Sequence, residues 1–180
     1  MTRATEILAR ANEKIKWGTG KKKKKFWIEK LTEISDFFIQ ELNISVKVKV
    51  SFKKMGVRQY GHMALAVGQQ DNFTIDINDA ASFKFWISAL AHELTHVAQV
   101  ARGDLSLKDT ESVVWKGKEF SIADYLSHGD DPDKYTEYKT HPWEVEAFAN
   151  QKRLTALAKD KFDEPIPAFA KLNIDANWFD

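Results

Sequence analysis

The stretch from Ser82 to Arg102 limits the fold more than any other part of the chain. Its apolar residues recur at spacings of three and four, which predicts an amphipathic helix. They are Phe83, Trp86, Ile87, Leu90, Leu94, Val97 and Ala101. Beside this stripe stand Ala89, Ala91 and Val100, where an exposed helix would carry charged residues. The pattern therefore predicts a helix that is buried on most of its sides.

This helix carries the motif His-Glu-x-x-His, with His92, Glu93 and His96. Residues four apart lie on one helix face, so the two imidazoles can bind one metal ion. Glu93 is turned by about 100° and can reach a water beside that ion. Two histidines and a carboxylate leave a fourth zinc position open for water. The alternative is a solvated polar face, but the apolar surroundings favour a metal site.

The third ligand has to come from outside this helix. A longer motif with a third histidine would need Gly at position 99 and His at 102, where the chain has Gln99 and Arg102. The other candidates are His128, His141 and the carboxylates of a later helix.

That later helix is predicted to open with His141-Pro142-Trp143 and to continue from Glu144 to Ala158. Two acids lie in its first turns. Glu146 is turned by about 200° from Glu144, so only one of them can face the metal. Ala147 lies on the same side of this helix as Glu144, and its small side chain allows that side to pack closely against the motif helix. We therefore predict Glu144 as the third ligand and keep Glu146 as the alternative. The competing explanation is that acids favour helix N-termini in general.

Composition indicates a single domain over residues 1–180. The chain has 43% apolar residues and a net charge of +1, so overall charge favours no particular partner. The absence of Cys excludes disulfides and thiolate zinc sites. No apolar run is long enough to span a membrane, and the first residues lack the apolar core of a signal peptide. We expect a cytoplasmic, monomeric protein without a membrane partner.

The remaining pattern predicts an α+β fold, with a small, mostly antiparallel sheet packed on helices. Residues 1–25 are predicted as an N-terminal helix (Thr2–Trp17) and a basic linker, and residues 163–180 as a C-terminal tail. A second helix is expected over Phe26–Leu42, closed by Asn43. The predicted strands are Ile44–Phe52, Tyr60–Gly68 and Phe73–Asn78, with a hairpin around Lys116-Gly117-Lys118.

The linker contains five consecutive lysines, Lys21 to Lys25. Such a run can contact nucleic acid. No second basic cluster supports that function, so we interpret the run as a solvated tract leading into the second helix.

Taken together, the motifs resemble those of the gluzincin zinc metallopeptidases. The resemblance rests on His92-Glu93-Leu94-Thr95-His96 followed by Glu144-Val145-Glu146-Ala147, and the small size is similar to that of minigluzincins. A longer pattern, which adds Trp115-Lys116-Gly117-Lys118 and Pro142-Trp143, resembles metallopeptidases attributed to tailed bacteriophages. A phage origin would make the compartment the host cytoplasm. The resemblance covers roughly Phe73 to Ala158.

The resemblance implies a zincin-like fold and one Zn²⁺ per chain, held by His92, His96 and Glu144. It further implies peptide-bond hydrolysis with Glu93 as the general base. In one respect the chain departs from the family pattern. Many gluzincins carry Asp or Asn four residues after the ligand Glu, to orient a histidine, whereas this chain has Phe148. Either Asn150 or Asp76 would then take that role, or the histidine would be only weakly oriented.

The substrate would be a peptide or protein, and two further groups of residues are expected to contact it. The first group would stabilise the oxyanion, and its candidates are His128, Tyr135, Tyr138 and His141. The second is an edge strand that would bind the substrate backbone, as the resemblance implies, and it comprises Thr74, Ile75, Asp76 and Ile77. Two alternatives remain open: a zinc-stabilised binding module without catalysis, and a nucleic-acid-associated protease of the SprT-like type.

Overall fold

The computed structural model describes residues 6–7, 21–53, 61–65, 72–78, 83–123 and 137–162. Within these ranges the chain forms three helices and two small sheets, which is the predicted α+β class. In chain order, the elements are β1 (Glu6–Ile7), α1 (Lys21–Glu41), β2 (Lys47–Lys53), β3 (Gly61–Leu65), β4 (Asn72–Asn78), α2 (Phe83–Ala101), β5 (Leu105–Leu107), β6 (Ser112–Trp115), β7 (Lys118–Ser121) and α3 (Pro142–Phe162). Among these residues, no helix is both long and apolar enough to cross a bilayer.

The larger sheet has the strand order β1-β2-β4-β3. The prediction of a mostly antiparallel sheet is wrong here, because β2 pairs in parallel with both β1 and β4, and only β3 and β4 are antiparallel. Parallel neighbours need a crossover connection, and α1 supplies one between β1 and β2. The alternating pattern of β2 was recognised, but such a pattern does not encode the direction of the neighbouring strand.

The N-terminal predictions also need correction. Glu6 and Ile7 form a strand beside Lys49 and Val50, where the predicted Thr2–Trp17 helix was expected. The rest of that helix prediction lies outside the described residues, as does the predicted tail at residues 163–180. The five lysines form the first turns of α1, and are therefore helical instead of a linker. Lys25 is exposed and pairs with Glu29 one turn later, at 3.6 Å.

The main core lies where α1 and α2 pack on β2 and β4. The predicted apolar stripe of α2 is buried at Trp86, Ile87, Leu90, Leu94 and Val97, whereas Ala101 is exposed. The other large core residues are Trp27, Leu31, Ile34, Phe38, Val48, Val50, Phe52, Phe73, Ile75, Ile77, Leu154 and Phe162. Helix α3 packs along α2. The core therefore fixes the two helices that carry the motif residues.

Helices α1 and α2 end in the same backbone motif. Gly103 has a φ of +78°, and the N–H groups of Gly103 and Asp104 donate to the carbonyls of Val100 and Gln99. This is a Schellman motif, which glycine favours because it has no Cβ. Asn43, with a φ of +52°, ends α1 in the same way. The predicted ends of both helices are confirmed.

The smaller sheet, β5-β6-β7, is antiparallel and contains the predicted hairpin. Lys116 and Gly117 both have positive φ angles, +48° and +81°, as a two-residue type I′ turn requires. Leu105, Val113, Trp115 and Trp143 form a second apolar cluster. Through Trp143, this cluster holds the N-terminus of α3 beside the C-terminal half of α2.

Candidate metal centre

Helix α2 brings its two motif histidines together on one face. The Nε2 atoms of His92 and His96 lie 3.1 Å apart, and their rings are nearly perpendicular, with centroids 4.7 Å apart. His96 is buried and the His92 side chain is 14% exposed. The i,i+4 spacing therefore places two imidazole nitrogens side by side in a largely apolar interior.

Helix α3 adds Glu144, which is only 1% exposed. Its Oε2 lies 3.1 Å from Nε2 of His92, and its Oε1 lies 3.2 Å from Nε2 of His96. One ligand atom from each of the three residues lies within 4.8 Å of the others, so the set could hold a metal ion. Among the described residues this is the one such group.

The two acids in the first turns of α3, Glu144 and Glu146, face different partners. Glu146 points away from the histidines and binds Arg102 at the surface, with an Nη2–Oε1 distance of 2.6 Å. Ala147 is fully buried, and its small side chain allows α3 to approach closely. Glu144, and not Glu146, thus shares the site with His92 and His96.

Two glutamines that sequence reasoning missed hold the other nitrogen of each imidazole. Oε1 of Gln99 lies 2.9 Å from Nδ1 of His96, and Oε1 of Gln151 lies 3.1 Å from Nδ1 of His92. The sequence spacing could have indicated both glutamines. Gln99 follows His96 by about one helical turn and Gln151 follows Glu144 by two turns, so each lies on the same helix face as that residue.

The expected orienting residues have other partners. Asn150 accepts a hydrogen bond from Arg153, with an Nε–Oδ1 distance of 3.3 Å. Asp76 accepts from Ser51 at 2.7 Å and from Lys53 at 2.9 Å. Phe148 packs against the ring of His92, with centroids 4.7 Å apart. Neither Asn150 nor Asp76 therefore takes the predicted role, because Gln99 and Gln151 already hold both Nδ1 atoms.

The charges of the site are strongly coupled. Burial by itself lowers the pKa of His96, but the hydrogen bond to Glu144 and the charge of that carboxylate outweigh burial and raise the pKa to about 9. Burial raises the pKa of Glu144, but contacts with His92, His96 and Tyr138 outweigh it and lower the pKa to about 2. Without a metal, the site holds a protonated His96 beside an ionised Glu144 near neutral pH.

Two observations indicate that His92, His96 and Glu144 could hold a metal ion. First, Oε2 of Glu144 is buried and receives no hydrogen bond from the described part of the chain. Second, the spacings of 3.1 and 3.2 Å between ligand atoms are close to those of a tetrahedral zinc site. There, ligands about 2.0–2.1 Å from the ion lie roughly 3.3 Å apart. A bound cation would interact with the Nε2 atoms of both histidines and with the carboxylate oxygens of Glu144, which face one another.

Glu93 follows His92 on α2 and is half-buried. Its charge contributes to the raised pKa of His96, which shows that the carboxylate lies near the cluster. No hydrogen bond from another described residue holds this carboxylate. Glu93 is therefore close to the site while its oxygens remain available to a bound molecule.

Of the four residues that were candidates for stabilising the oxyanion, Tyr138 and His141 lie among the described residues. Tyr138 donates a short hydrogen bond to Oε1 of Glu144, so it contacts the site. His141 is half-buried among Phe120, Tyr138 and Trp143, and its ring centroid lies 4.5 Å from that of Trp143. The predictions for Tyr135 and His128 lie outside the described residues.

The predicted substrate strand, Thr74 to Ile77, is not an edge strand. It belongs to β4, which pairs with β2 on one side and β3 on the other. Ile75 and Ile77 are fully buried. Strand addition to these residues is therefore excluded. The prediction was wrong because the edge or central position of a strand depends on distant neighbours and leaves no local pattern.

An open pocket of about 400 Å³ lies beside His92, between α2 and α3. Two of its lining residues, Phe148 and Gln151, contact His92 directly. The pocket lining consists of Ser88, Phe148, Gln151, Lys152, Thr155, Ala156 and Lys159. None of His92, Glu93, His96 and Glu144 lines the pocket itself, and the side chains of Phe148 and Gln151 lie between it and His92.

Searches with the whole chain find no matching protein-family model, no matching curated protein and no matching solved structure.

Proposed function

We propose that this protein is a zinc-dependent peptidase of the gluzincin type. The observation that carries the proposal is the meeting of His92 and His96 from one helix with Glu144 from another. Glu93 lies near them, and no described residue forms a hydrogen bond with its carboxylate. The same residues form the sequence motif that resembles gluzincins. Motif and geometry thus point to one set of side chains.

Zinc is the metal that suits this donor set best. Two imidazole nitrogens and one carboxylate are common zinc ligands, whereas magnesium and calcium favour oxygen alone. Structural zinc sites are closed by four protein ligands, but catalytic sites keep a position open. The described residues supply three ligands, and the His92 side chain is partly exposed beside a pocket. These features favour a catalytic site over a purely structural one.

When bound, the zinc supplies Lewis acidity, which polarises the peptide carbonyl and acidifies a water molecule. The chain itself supplies the proton transfer. Glu93 accepts the proton of the attacking water and passes it to the amine that leaves. Its carboxylate suits this task because no described residue competes for its oxygens.

Tyr138 has a positioning role in this mechanism. Its hydroxyl donates to Glu144 and keeps that carboxylate ionised and oriented towards the histidines. His141 packs in the aromatic cluster around Trp143 and is less suited to an oxyanion contact. Among the described candidates, Tyr138 is therefore the one that contacts a candidate metal ligand.

An extended peptide would have two places to bind. The pocket beside His92 can take a side chain, and its lysines would favour an acidic one. Backbone pairing would involve β3, because β4 lies on only one side of it and no other described strand covers the second side. In this proposal β3 replaces Thr74 to Ile77 as the substrate strand.

The test combines zinc content with cleavage of a complex peptide mixture. Zinc-loaded wild type and Glu93→Gln are compared by elemental mass spectrometry and by sequencing the new peptide termini. We expect about one zinc per chain in both proteins. Cleavage should fall by roughly 10²–10⁴-fold in Glu93→Gln, because the variant keeps the ligands and lacks the base.

Glu119→Gln serves as the matched control, since Glu119 is exposed on β7 and pairs with Lys108. This control should cleave as the wild type does. Equal cleavage by wild type and Glu93→Gln would refute the mechanism. Stoichiometric zinc without any cleavage by the wild type would instead support a zinc-stabilised binding module.

A further inference from the structure

Gln99 is a fully buried amide with a partner at each end. Its Nε2–H donates to the backbone carbonyl of Trp143 at 2.8 Å, and its Oε1 lies 2.9 Å from Nδ1 of His96. It therefore connects a histidine of α2 with the residue that directly precedes Glu144 on α3.

The partner of Gln99 fixes the direction of this connection. A backbone carbonyl can only accept, so the NH₂ group of Gln99 has to face Trp143, and its carbonyl oxygen has to face His96. His96 must then carry a hydrogen on Nδ1. Its Nε2 is left to face His92 and Glu144.

Gln151 makes the reciprocal connection from α3 back to α2. Its Oε1 lies 3.1 Å from Nδ1 of His92, and its Nε2–H donates to Oγ of Ser88 at 2.6 Å. Ser88 lies one turn before His92 on the same helix. Because Ser88 Oγ can both donate and accept, the hydrogen on Nδ1 of His92 follows from the placement of the Gln151 amide, whose Oε1 faces that nitrogen. Nε2 of His92 is then turned towards the site.

We propose that Gln99 and Gln151 are positioning residues that keep a hydrogen on Nδ1 of both imidazoles, fix the orientation of the two rings, and hold α2 and α3 at the separation that metal binding requires. The proposal rests on the metal centre of the proposed function and adds residues to it. With each Nδ1 held by a glutamine, the Nε2 atoms of both rings face one another and the carboxylate of Glu144. The two cross-links fix the distance between ligands of different helices before any metal binds.

The neutral amides also set the affinity of the site. A carboxylate in the same place would make the imidazole more basic and would raise metal affinity. An apolar side chain would leave Nδ1 without an acceptor and free the ring to turn. Affinity should therefore follow the partner of Nδ1 in the order carboxylate, amide, thioether.

The experiment compares Gln151→Met, Gln151→Glu and Gln99→Met in the full chain. Zinc affinity is measured by competition with a chromogenic chelator. Both Met variants should bind zinc about 10–100-fold more weakly, whereas Gln151→Glu should equal or exceed the wild type. Gln40→Met is the matched control, because Gln40 is exposed on α1. Wild-type affinity in Gln151→Met would overturn the proposal, even if Gln99→Met does not fold.

A second measurement needs neither zinc nor catalysis. Nitrogen-15 spectra of the histidine rings report which nitrogen carries hydrogen, and Nδ1–H of His92 and His96 should be protected from exchange in the wild type. Gln151→Met should lose the protection at His92 alone. Unprotected rings in the wild type would overturn the proposal. If the wild type binds no zinc while both rings remain locked, the proposed function fails and the positioning role stands.

Discussion

Polar contacts join α2 and α3 at two places, and these places differ in how their charges are balanced. At the surface, Arg102 binds Glu146 at 2.6 Å and Asp104 at 3.0 Å, and the three side chains are between 27% and 44% exposed. The guanidinium supplies enough donors for both carboxylates. This outer cluster is complete without any further partner.

The inner cluster has the opposite balance. With both Nδ1 atoms hydrogen-bonded to glutamines, the Nε2 atoms of His92 and His96 face the buried carboxylate of Glu144, and a proton on His96 balances the charge of that carboxylate. Buried acceptors without donors cost free energy, so such a cluster has to bind a proton or a cation. The outer cluster thus balances its charges with protein side chains alone, whereas the inner cluster needs a proton or a cation.

Removing one acid from each cluster should produce the largest difference. We expect Glu144→Ala to lose zinc entirely after dialysis, because only two ligands remain. Glu146→Ala should keep about one zinc per chain, because its carboxylate faces Arg102. Elemental mass spectrometry of both purified variants measures this. Zinc loss confined to Glu146→Ala would reverse the assignment and contradict the structure.

The choice of Glu144 could be predicted from the sequence because it depends on helix geometry alone. Glu144 and Glu146 are two residues apart and therefore lie on opposite faces of a helix, and the small Ala147 indicates which face packs closely. The same local rules gave α1, α2, the hairpin and the helix-ending roles of Asn43 and Gly103. Periodicity and turn chemistry act over a few residues, and these elements depend on nothing more distant.

What the sequence did not reveal depends on contacts between distant segments. The strand Glu6–Ile7 is too short to produce a periodic pattern, so its parallel pairing with β2 could not be foreseen. The central position of β4 follows from its two neighbours and not from its own residues. Gln99 and Gln151 stand at suitable spacings, but their partners lie on another helix. Spacing identified the three candidate ligands but not the two glutamines that contact the histidines.

A smaller effect concerns pH in the metal-free protein. The pKa of His96 is raised from 6.5 to about 9, so its stabilising contribution is complete below pH 6.5 and is lost as pH rises through 9. The pKa of Glu144 is lowered from 4.5 to about 2, so its contribution is complete above pH 4.5 and is lost as pH falls through 2. The pair should therefore stabilise the fold most between pH 4.5 and 6.5.

Urea unfolding in the presence of a chelator measures this contribution. Between pH 6 and 9 the free energy of unfolding should fall by about 1–3 kcal/mol more in the wild type than in Glu144→Gln, which lacks the charge that holds the proton on His96. Parallel pH profiles for the two proteins would show that the inner cluster is not coupled as described. Zinc should flatten the wild-type profile, because the ion replaces the proton.

The smallest effect is expected in the outer cluster. Arg102→Ala removes both surface ion pairs, and exposed pairs contribute roughly 0.2–1 kcal/mol each, because water and salt screen them. The free energy of unfolding should fall by roughly 0.4–2 kcal/mol for the two pairs together, and the difference should shrink at high salt. Zinc content should stay at one per chain. Zinc loss in Arg102→Ala would show that the surface contact holds α3 in register for Glu144, and the two clusters would then be one unit.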